Sequence, residues 1–192
     1  LERFGPISDA VHLLHAGAPS VEIAGAQFHG IGFETRHLDR SLLPDFPPPV
    51  PGRLNVGLMH TSLGGAAGHD RYAPCAEADL LGWGYDYWAL GHVHRRAEYR
   101  GEQALAVMPG IPQGRHIREP GRGSASLVTL DGAGARAEPL PVAGLAFHEL
   151  AVDLTGADST EARLARLSAA MAPHAAAGHD VALRLILRGA GT

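Results

Sequence analysis

The chain is a series of short apolar runs separated by glycine, proline and charged residues. "VHLLHA" (11–16) and "VEIAGAQFHGIGF" (21–33) read as strands, the second bent or broken at Gly25. "RHLDRSLLPDF" (36–46) predicts a short helix, and "PPPVPG" (47–52) is a stiff connector that neither a helix nor a central strand tolerates. "LNVGLMH" (54–60) predicts an apolar strand ending in His60, followed by a Gly-rich loop. Pro74 then opens a predicted helix, "PCAEADLLGWG", with proline in its first turn and Gly82 and Gly84 near its end. Residues 86–93 predict a buried strand that runs into Gly91-His92-Val93-His94. Two hairpins follow: "AEYR" with "QALAVMPG", and "SASLVTL" with "ARAEPLPV" across "DGAGA".

Around Gly144 the pattern changes. "AFHELAVDLT", a helix over about 159–177 and "DVALRLILR" give β-α-β, the start of a smaller second domain. The chain is thus expected to divide into 1–143 and 144–192. Strand–loop–helix–strand units leading into antiparallel hairpins predict a layered α/β sandwich, not a doubly wound sheet.

A length of 192 residues fits one domain or one and a half, and 45% hydrophobic content supports an ordinary core. The single cysteine, Cys75, excludes a disulfide framework and a Cys-rich zinc site and fits a reducing compartment. No apolar run approaches a membrane span and no signal peptide opens the chain, so a cytoplasmic protein without a membrane partner is expected. Both ends look cut: the first residue is Leu1, and the last apparent strand is followed only by a few residues. Every basic side chain is an arginine, and the net charge of −4 argues against a protein that is basic all over. Six of the sixteen arginines nevertheless fall between Arg95 and Arg122, against Glu98, Glu102 and Glu119, a local excess suited to phosphate.

The candidate chemistry centres on His92 and His94. Residues two apart in a strand share a side, roughly 6–7 Å from each other, which suits two metals about 3.5–4 Å apart with one imidazole on each. Chance His-x-His is common with twelve histidines, but this pair follows a glycine at the C-terminal end of a buried strand, where α/β sheets place their sites. His60 closes its own strand in the same way. The loop after it supplies Thr61, Ser62, His69 and Tyr72. Its hydroxyls serve equally well to orient a ligand or to cap the loop's own turns, and His69 suits a phosphate contact. Arg95, Arg115 and His116 complete the phosphate- or DNA-facing candidates, the last two just after a Pro-Gly turn; an arginine fork and an imidazole both hold phosphate oxygens. His12, His15, His29, His37, His148, His174 and His179 show no pairing logic and are expected to be structural or superficial, and Trp83 and Trp88 to pack.

His60 with "TSLGGAAGHDRYAPC", then "GYDYWALGHVHRR", then "PGIPQGRHIRE", resembles the calcineurin-like metallophosphoesterases, in the bacterial DNA-repair exonuclease group related to the D subunit of the SbcCD nuclease. The resemblance implies part of a two-sheet αββα sandwich, followed by the start of a small α/β cap that helps hold DNA. It implies two divalent metal ions, manganese in the nucleases, with His60 and His92 on one and His94 on the other. Those metals make and orient a hydroxide that attacks phosphorus in line. Implied partners are DNA and an SMC-like ATPase subunit. The family's Asp-x-His, Gly-Asp and Gly-Asn-His motifs, the last carrying the general acid, are absent from these 192 residues and are expected upstream of Leu1. The chain alone is therefore expected to lack nuclease activity and to self-associate through an uncovered sheet face. Alternative expectations are action on small phosphodiesters or phosphoproteins, or a non-catalytic partner-binding module of the same fold.

Overall fold

A computed structural model describes residues 8, 10–32, 35, 38–64 and 72–189. The chain forms two compact units, Leu1–Gly110 with Leu127–Glu138, and Ile111–Ser126 with Pro139–Thr192. The fold class is α/β, as the sequence predicts. Among the described residues no helix is long and apolar enough to cross a membrane.

The first unit is built on one mixed sheet of β1 (Ser20–Ile23), β2 (Ala26–Gly30), β3 (Leu54–His60), β4 (Tyr87–Gly91), β5 (Ala97–Arg100) and β6 (Leu105–Met108), in the order β1-β2-β3-β4-β6-β5. β2, β3, β4 and β6 run parallel, and β1 and β5 are antiparallel edges. The predicted break at Gly25 is a hairpin turn. Ala24 and Gly25 take φ of 50° and 82°, the two positive values that a two-residue turn between twisted strands requires.

Three sequence expectations fail for local reasons. Residues 11–16 form no strand, because His15 and Ala18 bond each other's backbones around a tight turn and so spend the groups that a ladder needs. The helix expected at 36–46 reduces, among the described residues, to a 3₁₀ turn at Leu43–Asp45, with Ser41 Oγ accepting from Leu43 N and prolines closing in at 47–49. The helix expected from Pro74 is only α1 (Glu77–Leu81), because Cys75 is held extended by a bridge to Leu63 and accepts from Gly64 N.

Alternation along the strands sends apolar side chains to both faces of this sheet, which is why the runs read as nearly continuous. On one face Met59, Trp88, Leu90, Ala106 and Met108 pack against Leu42, Leu43, Phe46, Leu80 and Tyr85. On the other, Val56, Tyr87, Leu105 and Val107 meet Val128, Leu130, Ala135 and Ala137. The last four belong to the hairpin β7 (Ser124–Asp131) and β8 (Gly134–Pro141), so strands layer on strands as expected of a partial sandwich. Trp88 is fully buried, stacked on Tyr85, and is accommodated only because residue 57 is glycine: a Cβ there would strike the indole. The proline connector is tied down by Asn55, whose amide exchanges bonds with both backbone groups of Val50, and by Tyr85 and Trp83, which donate to Pro47 O.

The second unit contains the predicted β-α-β: β9 (Leu145–Asp153), α2 (Thr160–Ala175) and β10 (Asp180–Arg188). β9 and β10 pair in parallel along their whole lengths. Ser159 caps α2, its Oγ accepting from Ala162 N at 3.1 Å. Val152, Leu154 and Ala157 form its core with Ala162, Leu167 and Ala170.

Candidate metal centre

β3 and β4 are neighbours in register, with His60 opposite Gly91, so the C-terminal ends of two parallel strands lie side by side. His60 is the last residue of β3 and His92 the first after β4. Their rings meet there: His60 Nε2 and His92 Nδ1 are 3.3 Å apart, and the centroids 5.1 Å. Gly91 makes room for this approach, since a Cβ at that position would stand 2.9 Å from His60 Nδ1.

The expected strand geometry of His92 and His94 is not what forms. β4 stops at Gly91, and His92 has φ 115°, so strand alternation no longer sets where the two rings point. The sharp bend falls on the histidine, not on the glycine before it. His94 is exposed and close enough for its charge to act on His60. Partial desolvation, then the charges of His92 and His94, lower the proton affinity of His60 below the ordinary imidazole value. A neutral ring is the form that offers a lone pair to a metal.

Tyr72 closes the pair from above, its ring stacked on His92 at 5.8 Å and edge-on to His60 at 5.5 Å. The end of β3 fixes its position. Ser62 N donates to Tyr72 O, Tyr72 N donates to Ser62 Oγ, both at 2.8 Å, and Thr61 Oγ1 donates to Ala73 O. Thr61 and Ser62 are buried, so they staple the loop and do not face a ligand. The aromatic role of Tyr72 escaped the sequence, in which only its hydroxyl stood out. A groove of about 440 Å³, walled by Leu14, Ile31, Leu58 and Ala89, runs up to His60.

The remaining candidates are placed as follows. His69 lies outside the described residues. Arg95 is exposed and forms no ion pair among the described residues. Arg115 and His116 belong to the second unit. There the Arg115 guanidinium lies 2.8 Å from Glu119, which also accepts from Arg115 N, and His116 Nε2 is 4.0 Å from the same carboxylate. That carboxylate holds the Arg115 guanidinium in its charged form more firmly still.

Two nitrogens about 2.0–2.2 Å from one ion stand roughly 3.0–3.5 Å apart, so the His60–His92 separation fits two ligands of a single metal. The set is partial: among the described residues no three His, Cys, Asp or Glu side chains gather where one ion would be held.

A mixed sheet with a strand layer on one face, and imidazoles at the C-terminal ends of adjacent parallel strands, is the layout of a partial metallophosphoesterase fold. No family model matches the chain. It is 30% identical over 164 residues, 85% of its length, to the uncharacterised metallophosphoesterase YhaO of Bacillus subtilis (strain 168). This similarity supports the metallophosphoesterase family, a family that implies divalent metals. The aligned stretch amounts to 40% of the length of that relative.

Proposed function

We propose that the protein is a hydrolase of phosphodiesters, acting in its full natural length as a manganese-dependent DNA exonuclease of DNA repair in the cytoplasm. The observation that carries this reading is the 3.3 Å approach of His60 Nε2 and His92 Nδ1 at two adjacent strand ends. His60 and His92 would hold one divalent ion and His94 would contribute to a second. When bound, such ions polarise phosphoryl oxygens and acidify water. Tyr72 keeps the two rings in place, and the groove beside His60 leaves space for part of a substrate. Imidazoles without carboxylates suit hard manganese poorly, so the 192-residue chain alone is expected to be inactive. The Asp-x-His, Gly-Asp and Gly-Asn-His motifs of a longer chain would complete the site.

DNA is favoured over a small phosphodiester by the arginine excess between Arg95 and Arg122 and by residues 144–192, which the resemblance assigns to the start of a cap. An SMC-like ATPase is the proposed protein partner. Comparing the full-length protein on DNA and on bis(p-nitrophenyl) phosphate tests the substrate. Under manganese, DNA is expected to be the better substrate by at least tenfold in kcat/KM. Turnover of the small diester alone would instead assign the site to small phosphodiesters. Cleavage of DNA by the isolated 192-residue chain would refute the incomplete-site reading.

A further inference from the structure

The second unit brings together histidines that sequence spacing leaves unrelated. His148 on β9 and His174 on α2 are in ring contact, with centroids 4.6 Å apart and planes at 48°. Even-numbered residues of β9 turn toward α2: Val152 packs in the core that Leu167 and Ala170 join. His174 continues that helical stripe, seven residues after Leu167 and four after Ala170. One end of the strand–helix interface is thus aliphatic, while the other holds two imidazoles. Neither ring has a hydrogen-bond partner among the described residues.

A third imidazole, His179, follows Gly178 in the link to β10, near enough for its charge to act on His148. Its Nδ1 donates to Ala177 O at 2.9 Å, which leaves Nε2 with a free lone pair. The location also suits a cation. His174 is in the last turn of α2, at the negative end of the helix dipole. Pro173, lacking an N–H, also leaves the Ala169 carbonyl, one turn earlier, without its helical donor.

Two imidazoles bound to one ion at about 2.0–2.1 Å have centroids roughly 4.5–5.5 Å apart, and the observed pair falls in that range. We propose that His148 and His174 are the two protein ligands of a transition-metal site of the zinc class, whose remaining positions water fills. An all-imidazole set favours zinc, nickel or copper over manganese or magnesium. The ion would pin the C-terminal end of α2 to β9. This site is separate from His60 and His92 and does not rest on the proposed phosphoesterase activity.

The test uses the 192-residue chain with His60→Ala, His92→Ala and His94→Ala, so that the first centre cannot contribute. Calorimetric titration with zinc should show one equivalent bound, and zinc should raise Tm. His148→Ala and His174→Gln should each weaken binding at least tenfold. Should His148→Ala not fold by circular dichroism, His174→Gln carries the same comparison. Absence of zinc binding in the triple variant, or binding undiminished by His174→Gln, overturns the proposal.

Discussion

His92 carries an unfavourable backbone, since φ of 115° suits glycine and is costly for a residue with a Cβ. The strain coincides with the one position that brings its ring to His60. His92→Gly should therefore raise stability by about 1 kcal/mol in chemical denaturation while weakening metal binding; His92→Ala should lose the ring without that gain. A glycine variant less stable than the alanine variant would contradict this. His29 behaves differently. It is 1% exposed, its Nδ1 accepts from Ser20 Oγ and its Nε2 donates to Asn55 Oδ1, so the neutral ring is fully used. Burial lowers its proton affinity below the usual 6.5, an effect only partly offset by the Asn55 bond. The unfolded chain then binds more protons than the folded one below that pH. Stability from this residue is complete above about pH 6.5 and is lost as the pH falls toward the folded value. His29→Gln should flatten the pH dependence of urea unfolding below about pH 6.5; an unchanged slope would show that the ring titrates alike in both states.

Elements were legible where a run of side chains had one job. β3 matches its predicted bounds because "LNVGLMH" packs apolar residues on both faces between a proline connector and a Gly-rich loop. The β-α-β of the second unit was equally plain, with Ser159 marking the start of α2. Ser159→Ala removes the cap and should destabilise that helix by about 1 kcal/mol, seen as faster amide exchange across its first turn. Unaltered exchange would mean that packing alone holds the helix end. Elements were misread where backbone bonds outside the local pattern prevailed. Cys75 sits in helix-compatible sequence but is claimed by Leu63 and Gly64 from another segment. The run 11–16 is apolar enough for a strand, yet it closes on itself at His15 and Ala18.

For the molecule as a whole, the order of strands decided how much of the site could be seen in advance. His60 and Gly91-His92 each end an apolar run, and the sequence marks both. That β3 and β4 are adjacent and parallel, with His60 level with Gly91, is a property of the sheet that no single run encodes. The same holds for His148 and His174, which meet only because α2 folds back over β9. Tyr72 reaches the pair through a loop anchored by buried hydroxyls, a contact without spacing or periodicity to signal it. The central claim is that the His60–His92 pair holds a catalytic divalent ion. Its most direct test is manganese-dependent hydrolysis of bis(p-nitrophenyl) phosphate by the full-length protein, with His60→Asn and His92→Asn measured beside it. The account predicts that each substitution lowers kcat/KM at least a hundredfold with the fold intact; a rate unchanged by either one would contradict it.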